Sequence, residues 1–414
     1  MRFLTSLVSL SLLASSAVAV IWDNEQIRPP TEKNTKYPVN LLTASDSKKE
    51  WDTYKPSTKE ISWKGRWDDK FISWWTAPGF KFGFTGDKVA VTFGNYTNDG
   101  VLVAYRVGGL DWEFTNITTS ATHLLVSSRP HAPSTSSPTT FELRVSNWGR
   151  GIQVAGIHLA KGSKLLPTKK HPKHIEFIGD SISSGQYASY GPMSSWPYLT
   201  AAGLGNVEYS ITAYPGICVT DKDCWGNPRG QVFQWKQTQD GNWRQQELYG
   251  LKPQPWNFKK QQAADVVVIN IGTNDANEHN NVTRSEFIAA YTKMITDIHA
   301  VWPRAQIVVM SLYFGFGQSG EGYVAGPGWP QEIPQIVKSF QRRGRGDYVH
   351  LFDTKGILQH NDIGPGTWHP TDTGHMKVAS ELRSYLKVKF GWEAEESGDM
   401  VHSGTYIYND WCCY

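Results

Sequence analysis

Beyond its first twenty positions the chain has no run approaching ~18 uninterrupted apolar residues, the length a helix needs to cross a bilayer. No membrane-spanning helix is expected. Cysteine is scarce: Cys218, Cys224, Cys412 and Cys413 are the only four among 414 residues. Neither neighbouring pair has metal-ligand spacing, so the four are read as structural. They allow three pairings; the simplest is Cys218 with Cys224, closing a small loop just after Gly216, with Cys412 and Cys413 tied to that loop or to each other. Charge of one sign is also missing, because 41 Lys and Arg face 38 Asp and Glu for a net +3. The one dense basic cluster, Lys169-Lys170-His171-Pro172-Lys173, reads as a solvated linker and not as a nucleic-acid patch. Internal repeats are absent.

What is present divides the chain. Arg2 precedes the apolar run Phe3 to Leu13, and Ala17-Val18-Ala19 offers a small-residue cleavage site, so residues 1–19 read as a signal peptide and the protein as secreted. The sequons at Asn95, Asn116 and Asn281 are then candidate glycosylation sites in a eukaryotic source. Residues 20–165 carry short β-rich runs between Gly and Asn turns, such as Phe80-Lys81-Phe82-Gly83-Phe84 and Phe141-Glu142-Leu143-Arg144-Val145. They predict a β-sandwich of jelly-roll type. A linker at 166–173 leads to residues 174–395, where strand and helix patterns alternate as in a doubly wound parallel sheet, and a tail follows at 396–414.

Three blocks in the second half carry chemistry. Gly179-Asp180-Ser181 ends the apolar run His174 to Ile178, which places a hydroxyl at a strand's carboxyl end. Gly272-Thr273-Asn274-Asp275 ends a second buried run, Ala264 to Ile271, and brings an amide donor to the same level. Trp368-His369-Pro370 lies just before a helical pattern through Met376, Ala379, Leu382 and Leu386 that stops at Gly391. A serine hydroxyl is a weak nucleophile until a neutral imidazole takes its proton. Ser181 and His369 fit those roles. An oxyanion needs donors already in place, and the Ser181 and Gly216 backbone N–H groups and the Asn274 amide are the candidates.

Taken in order, Gly179-Asp180-Ser181, Gly216 in Tyr214-Pro215-Gly216, Gly272-Thr273-Asn274-Asp275 and His369-Pro370 resemble the four blocks of the SGNH (GDSL-type) hydrolases. That resemblance implies a serine esterase with no cofactor. The family's last block usually has an acid three residues before the histidine, and that position is Gly366. Asp362 stands nearby as a displaced acid, whereas Asp372-Thr373-Gly374-His375 sits at the helix start, with Asp372 read as a cap. Trp-His-Pro without the acid, behind a β-rich segment, is similar to carbohydrate esterase family 2. This implies a Ser-His dyad and removal of acetyl groups from plant polysaccharide. A monomer is expected. Trp368, beside the expected base, is then a candidate wall of the acyl or sugar pocket. Two other readings stay open: a lipase or esterase on lipid or aromatic esters, and a polysaccharide-binding protein without chemistry. Asp180 and Asp275 read as structural.

Overall fold

The computed structural model describes residues 21–23, 26–28, 41–42, 50–129, 134–250, 252–313, 316–326, 328–342, 347–364 and 367–395. The expected signal peptide, Gly366, Cys412, Cys413 and the tail lie outside the described residues.

The front half is built of strands. β1 (Ile21–Asp23) and β2 (Gln26–Arg28) form a small hairpin. β3 (Trp51–Tyr54), β4 (Ser62–Trp67), β5 (Ser73–Phe84), β6 (Val89–Phe93), β7 (Val101–Val107), β8 (Glu113–Ile117), β9 (Thr122–Val126), β10 (Thr139–Val145), β11 (Val154–Ala160) and β12 (Leu165–Leu166) follow. They form two antiparallel arrays, ordered β3-β11-β6-β9 and β5-β10-β7-β8, with β4 and β12 also on β5. Alternation of side chains decides which face is inside. Phe80, Phe82, Phe141 and Leu143 of one array share a core with Val89, Val91, Ile157 and Leu159 of the other.

In the second half β13 (Lys173–Gly179), β14 (Val207–Ala213), β15 (Val266–Asn270), β16 (Gln306–Met310), the hairpin β17 (Phe316–Ser319) with β18 (Gly322–Ala325), and β19 (Val349–Phe352) alternate with helices. The helices are α1 (Trp196–Leu204), α2 (Gln231–Gln234), α3 (Trp243–Tyr249), α4 (Arg284–Val301), α5 (Glu332–Arg342) and α6 (Asp372–Phe390). Five parallel strands run in the order β14-β13-β15-β16-β19. Every residue of β15 is buried, because helices cover both faces. Val266 and Val268 pack with Leu382 and Leu386 of α6, whereas Val267 and Ile269 pack with Phe287 and Ile295 of α4. α4 opens with a capping box, a Thr-x-x-Glu spacing in which Thr283 and Glu286 cap reciprocally.

Strand order reverses between β13 and β15, and an open sheet of this kind binds ligands at the carboxyl ends of the strands flanking that reversal. Ser181 follows β13, and Asn274 follows β15.

The two halves are not beads on a linker. Ile211 of β14 pairs antiparallel with Thr76 of β5, and the Thr76 hydroxyl donates to the Ala213 carbonyl at 2.8 Å, so one 11-stranded sheet runs through both. Arg66 of β4 is buried in the second half, donating to the carbonyls of Trp235 and Gln237 with Trp75, Trp256 and Phe258 around its guanidinium. That contact anchors the tryptophan-rich stretch 225–256, which forms the short helices α2 and α3 and otherwise irregular chain.

Candidate active site

Ser181 sits in a tight turn after β13, where its carbonyl accepts from the Gln186 N–H and the Ser184 hydroxyl, both at 3.0 Å. Gly179 is required just before it, since a Cβ there would stand 2.0 Å from the Ser183 hydroxyl and 2.9 Å from the Asn270 carbonyl. Asp180 is buried beneath the turn and accepts from the Ile182 N–H at 3.1 Å. Burial, with Asp275 adding to it, pushes the Asp180 carboxyl up to about 7. Asp275, also buried, accepts from the N–H groups of Val219 and Thr220 at 2.8 and 3.0 Å. Asp275 thereby ties the strand end that carries Asn274 to the loop that carries Gly216.

That loop holds the remaining donors. Gly216 has φ +77°, and a Cβ on it would meet Asn227 Nδ2 at 2.9 Å and Trp225 Cβ at 3.0 Å. The Cys218–Cys224 disulfide closes the loop, in the pairing expected from the sequence. Asn274 Nδ2 donates to the Ile217 carbonyl at 2.9 Å, which uses one amide hydrogen and aligns the side chain along the same loop. Neither the Ser181 nor the Gly216 N–H donates to an acceptor among the described residues. Both are available for an oxyanion.

His369 lies on the loop entering α6, whose N-cap is Thr371 and not Asp372. Asp372 instead accepts the Ser189 N–H at 2.7 Å. Together with the Tyr187 ring, edge-on to His369 at 4.9 Å, and the Trp196 N–H, which donates to His375 Nδ1 at 3.2 Å, this bond packs the segment following Ser181 against the His369 loop. His369 Nδ1 donates to the backbone carbonyl of Thr367. The proton is thus on Nδ1, and Nε2 is left as an acceptor with no protein partner. Burial pushes the His369 imidazole below its ordinary range, opposed by the Thr367 contact, so the ring is neutral at neutral pH. His375 has the opposite tautomer, because its Nδ1 accepts and its proton is on Nε2; it is fully buried.

Asp362 is not an acid for His369. Its buried carboxylate accepts from Lys377 Nζ at 2.7 and 2.9 Å and from the Gln359 N–H at 2.8 Å. The displaced-acid expectation fails because the cation on α6 and a backbone N–H occupy both oxygens, while the imidazole is already held by a carbonyl.

Trp368 is 60 % exposed beside His369, with φ +59°. Sequence reasoning did not single out Tyr187, which is 49 % exposed at φ +68°. Trp225 is similar: it is 52 % exposed at φ +53°, stacked on His279 with centroids 4.6 Å apart. A bulky side chain in the left-handed region costs roughly 1–3 kcal/mol and persists where surrounding structure enforces it. Nothing in the residue types around Tyr187 signals such backbone. Of the sequons, Asn95 and Asn281 are exposed, while Asn116 is half-buried and donates to the Gly100 carbonyl at 3.0 Å. Among the described residues, no three His, Cys, Asp or Glu side chains are grouped to hold a metal ion.

Residues 177–377 match the GDSL-like Lipase/Acylhydrolase family. The second half carries a GDSL-like domain. The chain is 26 % identical over 256 residues to the cellulase/esterase CelE of Acetivibrio thermocellus, covering 58 % of this chain and 28 % of that protein. It is 25 % identical over 254 residues to the acetylxylan esterase/glucomannan deacetylase of Cellvibrio japonicus, covering 57 % of this chain and 65 % of that one. The chain therefore spans less than two thirds of either relative. In fold, it resembles a family two carbohydrate esterase from Clostridium thermocellum, solved in complex with cellohexaose, with TM-score 0.63 at 23 % identity over 80 % of this chain and 99 % of that one. A family two carbohydrate esterase from Cellvibrio japonicus gives TM-score 0.64 at 16 % identity over 83 % and 98 %.

Proposed function

We propose that this protein is a secreted serine esterase that removes O-acetyl groups from plant cell-wall polysaccharide of the xylan or mannan type. Ser181 Oγ attacks the ester carbonyl as His369 Nε2 takes its proton. The same proton goes to the departing sugar hydroxyl, leaving an acetyl-enzyme. Water, deprotonated by His369, then releases acetate and restores Ser181. The Ser181 and Gly216 N–H groups and the free Asn274 amide hydrogen receive the oxyanion in both steps. A backbone carbonyl suffices in place of an acid, since the acid of a triad chiefly holds the tautomer and supports the imidazolium.

The observation that carries this reading is the pair of nitrogens on His369: Nδ1 bound to the Thr367 carbonyl, and Nε2 buried without a partner on the loop packed against the Ser181 segment. The names of the relatives support the acetyl-polysaccharide class. Exposed Tyr187, Trp225 and Trp368 suit sugar rings, which stack on aromatic faces. The strand orders β3-β11-β6-β9 and β5-β10-β7-β8 support a jelly roll for the front half.

The test is a substrate profile on acetylated xylan, acetylated mannan and p-nitrophenyl esters of increasing chain length, with Ser181→Ala as the blank. Acetyl esters should be hydrolysed fastest and the blank should be inactive. Highest activity on long acyl chains would remove the carbohydrate reading, and turnover by a folded Ser181→Ala protein would remove the nucleophile.

A further inference from the structure

The turn that carries the Gly216 N–H has two accessible forms, and one side chain selects between them. Tyr214-Pro215-Gly216-Ile217 is a β-turn closed by the Ile217 N–H, which donates to the Tyr214 carbonyl at 3.5 Å. Gly216, at the third position, has φ +77°. Proline at the second position cannot take a positive φ, so the turn is type II. Type I would also accept Pro215, and glycine takes φ of either sign. The two forms differ by a flip of the central peptide, the one that joins the Pro215 carbonyl to the Gly216 N–H. That unit is planar and trans, so its N–H leaves on the side opposite its carbonyl. Whatever holds the Pro215 carbonyl therefore aims the Gly216 N–H.

Asn227 holds it. Its Nδ2 donates to the Pro215 carbonyl at 3.1 Å and to the Cys224 carbonyl at 3.0 Å, which engages both amide hydrogens. The residue has little freedom to let go. It is only 8 % exposed, and its backbone bonds Cys224 in both directions, N–H to carbonyl at 2.9 and 3.0 Å. Cys224 is in turn tied by its disulfide to Cys218, two residues past Gly216. The amide packs directly against the glycine, since a Cβ on Gly216 would stand 2.9 Å from Asn227 Nδ2. With its carbonyl engaged there, the peptide turns its N–H away from Asn227, and that N–H meets no acceptor among the described residues.

We propose that Asn227 is a positioning residue of the esterase: it locks the turn at Gly216 in its type II form and so keeps the Gly216 N–H aimed at the oxyanion. The effect on the reaction rests on the proposed function, whereas the lock rests on the turn's geometry alone. Aspartate is the same size but reverses the preference. Its carboxylate would repel the Pro215 carbonyl and accept the N–H of the flipped peptide, which removes an oxyanion donor while Ser181, His369 and Asn274 stay in place.

Asn227→Asp, Asn227→Ala, Gly216→Ala and the double variant Asn227→Asp with Gly216→Ala should be assayed on p-nitrophenyl acetate, and the crystal structure of Asn227→Asp determined. An oxyanion donor acts on the transition state, so kcat should fall about 10²-fold in Asn227→Asp and at least about tenfold in Asn227→Ala, with KM within about twofold. Both positions act through one N–H, so the double variant should be slower than the slower single variant by no more than about threefold. Arg229→Met, which breaks an exposed ion pair with Asp221 on the same loop, should leave kcat unchanged. The crystal should show the Gly216 N–H donating to the new carboxylate. A kcat in Asn227→Asp within about threefold of the wild type, losses that multiply in the double variant, an equal loss in Arg229→Met, or an unflipped turn would each overturn the role. A flipped turn in a protein whose wild type hydrolyses no ester would keep the lock and remove the esterase. An active wild type with an equally active Asn227→Asp would do the reverse.

Discussion

Replacing Asp362 by Asn separates a carbonyl-held histidine from a hidden triad. The carboxylate accepts two hydrogen bonds from Lys377 Nζ and one from the Gln359 N–H, and none from His369. Hydrogen bonds to charged groups are worth roughly 1.5–3 kcal/mol, but half-exposed Lys377 can regain water and Asn can still accept from Gln359, so a loss of about 1–2 kcal/mol is expected. For a unit of this size that is a fall of about 2–8 °C in melting temperature. Turnover should drop less than about tenfold, against ~10⁴-fold when a true triad aspartate becomes asparagine. Lys377→Met is the companion, because it leaves a buried carboxylate without its cation and should destabilise more, by about 3–5 kcal/mol. The double variant should recover part of that loss, as coupled partners do. Steady-state kinetics on p-nitrophenyl acetate and thermal melts read both quantities. A loss near 10⁴-fold in folded Asp362→Asn, with Lys377→Met fully active, would refute the reasoning.

Three further outcomes follow from the same geometry. His369 must be neutral to accept a proton, and burial lowers its pKa, so the acid limb of the kcat/KM profile should fall below pH 6.5; a limb above that value contradicts the assignment. Burial, and then nearby His369, push His375 down to about 3, so the unfolded chain binds a proton between pH 6.5 and 3 that the folded chain refuses. Stability should therefore fall with acidification across that window at up to about 1.4 kcal/mol per pH unit, and His375→Gln should flatten the slope in denaturant titrations at several pH values. His369→Ala should remove several orders of magnitude of turnover while His375→Ala chiefly lowers the melting temperature; the reverse pattern would make His375 the base. Gly216→Ala should slow turnover about 10²–10³-fold, the loss seen when one oxyanion donor is removed elsewhere, since its methyl would press on Asn227 and Trp225; unchanged kcat would take Gly216 out of the site.

Sequence alone marked the runs His174 to Ile178 and Ala264 to Ile271 as buried strands with Ser181 and Asn274 just past their ends. Val266 to Asn270 is apolar almost throughout because helices cover both faces of a parallel strand, and that requirement is written in the residues themselves. The same holds for the capping box of α4, written in Thr283 and Glu286. The order of the chemical blocks, with Ser181 and Asn274 each just past a strand, was likewise legible. Tertiary structure decided the rest. Which histidine has an Nε2 lone pair able to accept a proton depends on what meets the other nitrogen, the Thr367 carbonyl in one case and the Trp196 N–H from a distant helix in the other. Asp362 lay close enough in sequence to be an acid, but Lys377 from α6 claims its charge. The two halves, separated by an apparent linker in the sequence, share one sheet through Thr76 and Ile211. Local pattern fixes what a residue must bury, whereas the partner of a polar group is chosen by segments that only folding brings alongside.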